Sequence, residues 1–309
     1  MDKKTERLVD VARMYYEQDR TQSEIADRYG ISRPMVSKLL KEARDRGIVT
    51  IRINAPKGES GGAPSLMELV GRCFGIYDGV AVPDGPNDQT TNEAVAEAAI
   101  SYLSGLGGTG LGIGWGHIIG DVVKHMEQKA KLVPIGTFVC PLIGNGGVGL
   151  KNYHSNELVR SIAEHSGAQP RFIYSPACVL SEQELKLTRE LDSYHEIYHV
   201  WEKLDVALVN IGNFPSVPDF ASEARYGDQL IRQKAVGRIL NYFMDSQGHI
   251  IRSDTDYAIQ IPLELLSGTR HVVGICSANT SPKAFRGALK TGYLKHFIAP
   301  EHVVREALE

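Results

Sequence analysis

The sequence predicts two folded parts of different class: a small all-helical head, and a larger α/β body built on a mostly parallel sheet. Three observations carry this. The first fifty or so residues hold apolar positions at helical spacing and are punctuated by glycines. A stretch rich in Gly, Pro and Ser, Asn54 to Ser65, then interrupts the chain. Beyond it, apolar strand-like runs alternate with helical stretches, the pattern of βαβ units. The 309 residues suit two domains better than one. The expected division is a head over 1–53, a linker over 54–65 and a body over 66–309.

In the head, Leu8, Val11, Ala12, Tyr15 and Tyr16 line one helical face. Thr21 suits a helix N-cap, with Glu24 three residues on as its capping-box partner. That second helix stops at Gly30. Ser32 caps a third, Arg33 to Arg46, with Pro34 tolerated in its first turn. Ile48 to Ile53 alternates and is β-branched, so a short strand is expected there.

In the body, strands are expected at Gly79–Val82, Thr109–Gly114, Leu132–Cys140, Arg171–Tyr174, Val206–Ile211, His271–Ile275 and Lys295–Ile298. Helices are expected at Leu66–Phe74, Asn92–Leu106, His117–Lys129, Asn156–Ser166, Glu182–Leu191, Ser281–Thr291 and Pro300–Leu308.

Composition is that of an ordinary soluble globular protein, 42% hydrophobic and 23% charged. No apolar run approaches the roughly 20 residues of a membrane helix, and the N-terminus has no signal-peptide core, so a cytoplasmic protein without membrane partners is expected. Cys73, Cys140, Cys178 and Cys276 are far apart and form no CxxC pair, which gives no sign of a zinc or redox site. No cofactor and no metal is indicated. The net charge of −3 is unevenly spread. Residues 1–53 hold twelve Lys/Arg against nine Asp/Glu, and the remainder 22 against 28. A mildly basic head on an acidic body suits a chain whose head alone meets phosphate.

The segment from Gln22 to Leu40 meets the demands of a helix-turn-helix. Ala26 is small where two helices must cross, Gly30 supplies the turn, and Ile25, Ile31, Val36 and Leu39 are apolar toward helix 1. The third helix leaves a polar and basic face outside. A recognition helix presents its N-terminal residues to base edges and its basic residues to phosphates. Ser32, Arg33, Met35, Ser37, Lys38, Lys41 and Arg44 are therefore the expected DNA-reading residues, with Gln22 placed for a backbone contact. The same pattern also suits a three-helix packing module that touches no DNA.

The chain resembles SorC-family transcriptional regulators over nearly its whole length. The residues that carry the resemblance are Gln22–Ala26 with Ser32–Leu40, Leu111–Gly116, Gln233–Gly237 with Tyr242–Gly248, and Gly287–Tyr293. The resemblance implies a helix-turn-helix or winged-helix head on double-stranded operator DNA. It also implies a Rossmann-like α/β effector domain similar to the sugar-phosphate isomerase and glucosamine-phosphate deaminase fold, assembly as a homotetramer of dimers, and a phosphorylated sugar as effector.

Gly114, Trp115, Gly116 and His117 lie where a strand runs into a helix, a junction that can cradle an anion or can be turn chemistry alone. Gly144 and Asn145 resemble the family's second ligand loop, with Asn156 just beyond. Asn210 and Gly212 end a third strand. Ligands of open α/β sheets bind off the carboxyl ends of strands, so these loops are expected to converge. Asp254 is a further candidate. Two departures from the family stand out. Cys276–Lys283 has Ser277-Ala278 in place of Gly-Gly, and Ser281 at the lysine position, leaving Ser277, Asn279, Thr280 and Lys283 as candidates. Ile143 occupies the place of an imine-forming lysine, so a covalent adduct is not expected. The effector is then a sugar phosphate or a free polyol. The competing function is a sugar-phosphate isomerase or deaminase with a DNA-binding head, drawing a general base from Asp245, Asp254, Asp256, Glu157 or His117.

Overall fold

The computed structural model describes residues 3–16, 18, 20–45, 49, 64–106, 108–147, 149–216 and 226–309. The chain divides into two compact units, Met1–Gly62 and Ala63–Glu309. The expected strand Ile48–Ile53, apart from Val49, and most of the expected linker lie outside the described residues. Among the described residues, no helix is long and apolar enough to cross a membrane.

The head is built from α1 (Lys3–Tyr16), α2 (Gln22–Tyr29) and α3 (Arg33–Asp45). Leu8, Val11, Ala12 and Met14 of α1 pack with Ile25 and Ala26 of α2 and with Val36, Leu40 and Ala43 of α3. Leu40 rather than Leu39 is the fully buried residue of that turn, since it lies four residues beyond Val36 on the same stripe. Thr21 and Glu24 form the reciprocal capping box: the Glu24 N–H donates to Thr21 Oγ1 at 3.2 Å, and the Thr21 N–H donates to Glu24 Oε2 at 2.8 Å. Gly30 closes α2 in the left-handed region at φ 59°, where a side chain would be strained.

The body opens with α4 (Leu66–Phe74), capped by Ser65 and Glu68 in a second capping box. Then come β1 (Gly79–Val82), α5 (Asp88–Leu106), β2 (Gly110–Ile113), α6 (His117–Glu127), β3 (Phe138–Pro141), α7 (Ser155–Ser166) and β4 (Gln169–Pro170). The chain continues through α8 (Glu182–Glu190), α9 (Asp192–Trp201), β5 (Val206–Asn213), α10 (Gln229–Arg232), β6 (Gly237–Ile239) and β7 (Tyr242–Met244). It closes with α11 (Leu263–Gly268), β8 (His271–Ile275), α12 (Pro282–Lys290), β9 (His296–Pro300) and α13 (Glu301–Leu308). The main sheet runs β1-β9-β8-β5-β2-β3-β4 with every pairing parallel. From β2 the chain winds outward through β3 to β4; from β5 it winds the other way through β8 to β9. The winding reverses between β2 and β5, and there the crossover helices diverge and leave a crevice.

Several expected elements shift. The strand expected over Leu132–Cys140 is confined to Phe138–Pro141, because Pro134 cannot donate to a ladder. The strand expected at Arg171–Tyr174 pairs two residues earlier, at Gln169–Pro170. The expected helix Glu182–Leu191 is followed by a further helix, α9, which the pattern did not separate. Leu191, extended at ψ 139°, breaks one apolar-periodic run into two. The β6–β7 hairpin likewise carries no local sequence signal. Its turn runs through Leu240, a bulky residue at φ 52°, with no glycine to mark it.

Glycines on β2 permit close packing. A Cβ on Gly110 would fall 2.2 Å from the Phe138 ring, and one on Gly112 would fall 2.4 Å from Leu142.

Candidate functional site

In the head, Gln22 and Arg33 line one shallow cleft with Arg20, Thr21 and Ser23. The start of α2 and the start of α3 therefore share a surface. Arg33, Ser32, Met35, Ser37, Lys38 and Lys41 are all exposed, Met35 at 46% although apolar. The side chain of Arg44 lies outside the described residues. A helix whose first two turns offer Arg, Ser and Lys to solvent, and whose Val36–Leu40–Ala43 stripe is buried, is held rigidly and presents donors outward. Arg7 stacks over Tyr29 at 5.4 Å and fastens α1 to the end of α2.

In the body, a crevice of about 580 Å³ opens off the carboxyl ends of β2, β5 and β8. It gathers Gly116 and His117 from the β2–α6 junction, Asn210 and Gly212 from β5, and Ser277, Asn279 and Thr280 from the loop after β8. Asn213, from the same strand end, lines it too, and residues not anticipated from sequence join them: Asn92, Asp121, Tyr153, Ser216 and Arg238.

No side chain caps α6, whose N-cap is Gly116 at φ 108°. The first backbone N–H groups of α6 thus face the crevice with the positive end of the helix dipole. Asn210 sits beside them, and only 7% of it is exposed. No described residue bonds its amide, and its Oδ1 is sealed from solvent without a partner. A Cβ at Gly114 would lie 3.1 Å from that oxygen, so glycine makes the approach possible.

Arg238 is 6% exposed and brings a guanidinium to the crevice. Its Nη1 donates to Asn241 Oδ1 at 2.8 Å. Gly212 pairs with it across β5–β6, and a Cβ there would press on Arg238 Nε at 3.0 Å. The sequence held one signal for Arg238, a charge inside the short apolar run Val236–Leu240. Burial raises the Asp121 carboxyl above the usual aspartate range, partly offset by Lys124 and His117. Burial likewise raises Tyr153, against the pull of Arg238. Tyr153 meets both Trp115 and His117 edge-on, at 5.6 and 5.7 Å between ring centres.

The loop after β8 is held by amides. Asn92 Oδ1 accepts from the Ala278 N–H at 2.7 Å, Asn213 Oδ1 accepts from Ser281 N–H at 2.7 Å, and Asn213 Nδ2 donates to the Asn279 carbonyl at 2.8 Å. Thr280 Oγ1 accepts from the Ser277 N–H at 2.9 Å, so part of that hydroxyl's capacity is used within the loop.

The structure does not bring the remaining candidates into the crevice lining. Gly114 and Trp115 are buried behind it. Gly144 packs against the Pro176 backbone. Asn145 and Asn156 spend their amides on the chain itself: both donate to the Ile173 carbonyl, at 3.3 and 2.8 Å, and Asn156 Oδ1 accepts from the Ile173 N–H at 3.0 Å. Asp254 lines a separate cleft with Arg189, Tyr242, Arg252 and Asp256. Lys283 is exposed on the first turn of α12. Ile143 is fully buried.

Comparison with known proteins adds a family to this geometry. Residues 63–309 match the Sugar-bind family of sugar-binding domains, and residues 5–46 match region 4 of sigma-70 factors. The sorbitol operon regulator of Klebsiella pneumoniae is 30% identical over 93% of this chain and 92% of its own length. The deoxyribonucleoside regulator of Bacillus subtilis is 26% identical over 99% of this chain and 98% of its own. The crystal structure of the full-length sorbitol operon regulator SorC from Klebsiella pneumoniae covers 100% of both chains, with a TM-score of 0.70 and 27% identity. With its sugar-binding match spanning most of its length and relatives of this kind along all of it, the chain belongs to the SorC family of sugar-binding transcriptional regulators.

Proposed function

We propose that the β2–β5 crevice is the effector site, and that it takes a small polyhydroxylated ligand, a sugar phosphate or a polyol. Asn210 carries this reading: its amide lines the crevice at the topological switch point, and no described residue bonds it, which suits a group kept for a ligand hydroxyl. The uncapped start of α6 and the buried Arg238 favour an anionic group on that ligand. The polar groups of Asn92, Ser277 and Asn279 that the loop's own bonds do not use suit sugar hydroxyls.

The head reads operator DNA through Arg33, Ser37 and Lys38, with Gln22, Ser32, Met35, Lys41 and Arg44 flanking them. The protein works in the cytoplasm as a homo-oligomer, a dimer of dimers. Operator half-sites are spaced by about one helical turn, roughly 34–36 Å, or a multiple of it. A ligand that favours one oligomer arrangement therefore changes affinity for DNA through helix spacing. It acts as a sensor rather than a catalyst.

A thermal-shift screen of the pure protein against aldose, ketose and polyol phosphates and the corresponding free polyols tests the site. Stabilisation by at least one class is expected, and its loss in Arg238→Met would mark the phosphate as the group that Arg238 meets. A screen in which nothing stabilises the protein would end the effector reading. Steady turnover of any of these compounds would replace the sensor by an enzyme.

A further inference from the structure

One histidine outside the crevice lining touches the loop that forms its far wall. His302 stands in the first turn of α13. Its backbone N–H donates to Asp84 Oδ2 at 3.0 Å, and its ring Nδ1 meets Asp84 Oδ1. Its ring Nε2 lies 3.1 Å from the carbonyl oxygen of Ala278. Ala278 belongs to the loop Ser277–Ser281, and its N–H is the one tied to Asn92.

A carboxylate and a carbonyl both accept and neither donates. A neutral imidazole has a single N–H. The two ring contacts can be made together only by the imidazolium, with a proton on each nitrogen. We propose that His302 is a positioning residue for the crevice: as a cation it ties the Ser277–Ser281 loop, through the Ala278 carbonyl, to Asp84.

The surroundings agree. Asp84, from the β1–α5 connection, and Glu306, one turn further along α13, are the charged groups acting on His302, and both favour the cation; the Ser277–Ser281 loop adds only the Ala278 carbonyl. Burial works against them, and the net effect holds the His302 pKa above the ordinary histidine value of 6.5. A raised folded value means the tether is complete at and below that value and is lost as pH rises through the higher folded one. On deprotonation the ionised Asp84 keeps the proton on Nδ1. Nε2 then turns a lone pair toward the Ala278 oxygen, and that contact breaks.

The consequence for the effector rests on the crevice being its site. The tether itself does not, and the test reads it without ligand. Amide hydrogen exchange of the full-length protein is followed by mass spectrometry from about pH 6 to about pH 9, with each rate corrected for intrinsic exchange. Peptides spanning Cys276–Ser281 are compared with peptides from α9 as an internal reference. In the wild type, protection of the loop is expected to fall about three- to tenfold across this range, the worth of one hydrogen bond, while α9 stays constant. In His302→Gln the loop should lose this pH dependence. In Asp84→Asn the transition should persist but move to lower pH, because the cation has lost its counter-charge. Loop protection that is independent of pH in the wild type, or that has the same profile in wild type and His302→Gln, would overturn the proposal. Failure of the sugar screen would leave it standing, and its own failure would leave the effector site standing.

Discussion

Replacing Asn210 by leucine, a near isostere, should separate what this residue does for the fold from what it does for a ligand. The Asn210 Oδ1 is sealed from solvent and has no described partner. A buried acceptor left unpaired costs about 1–3 kcal/mol, and exchanging it for an apolar group of similar shape removes that cost. Leucine keeps the branching of the amide but puts a methyl where the oxygen closely approaches Gly114, so a modest overpacking penalty offsets part of this gain. The lower end of the range is the better expectation, since the open side of the crevice remains polar. Asn210→Leu should therefore stabilise the ligand-free protein by about 1 kcal/mol, a rise of roughly 2–4 °C in melting temperature for a domain of this size. The same change should weaken, by about tenfold, the compound giving the largest shift in the screen. Thermal unfolding with and without that compound reads both effects. A variant destabilised by more than about 1 kcal/mol would show that the amide is part of the scaffold, and unchanged ligand affinity would show that it faces no ligand; either result refutes the reasoning.

Three further outcomes follow from the geometry. Arg33→Ala should lower affinity for the specific operator by about 1–3 kcal/mol while barely changing affinity for random DNA; Lys38→Ala should lower both and reduce the salt slope by about one. Fluorescence anisotropy at several salt concentrations checks this pair, and equal losses on both DNAs for Arg33→Ala would remove it from base reading. The Thr109 hydroxyl and N–H hold the Asp205 carboxyl below its ordinary 3.8. A depressed folded pKa contributes stability above the ordinary value that is lost as pH falls through the folded one. The stability gap between wild type and Thr109→Val should thus be constant near neutrality and narrow below about pH 4; denaturant melts showing a pH-independent gap would count against it. Gly120→Ala would place a Cβ 2.2 Å from Asn152 Oδ1, and a loss of about 1–3 kcal/mol is expected despite alanine's better helix propensity. Net stabilisation in the same melts would mean that Asn152 yields freely.

What the sequence made legible was whatever depends on neighbours along the chain. The capping box at Thr21 and Glu24, the glycine stop at Gly30 and the alternation of strands and helices are local signals, and they reappear in the structure. What it hid depends on distant partners. Asn145, Asn156 and Asn210 look alike as asparagines near the carboxyl ends of expected strands. Only the arrival of the Ile173 backbone, far along the chain, occupies the first two and leaves the third. Arg238 escaped notice because its hairpin turns on Leu240 in the left-handed region, a conformation costing about 1–2 kcal/mol per residue that no turn motif announces. His302 escaped because its partners, Asp84 and Ala278, come from opposite halves of the body sequence.

The glycines of β2 also bear on how a site of this kind can diversify. With no side chains at 110 and 112, and none at 114 beyond the strand, the volume there belongs to Phe138, Leu142 and Leu240, whose atoms a Cβ would strike. Of these, Leu240 approaches Gly114 beside Asn210, so the space behind that wall of the crevice is set by a residue outside the strand. A smaller residue at 240 would hollow the floor beneath Gly114 while leaving the ladder, and the helix start that it aims, in place. On the proposed effector reading, ligand size can drift by exchange at such a bystander, without any change to the residues that line the crevice.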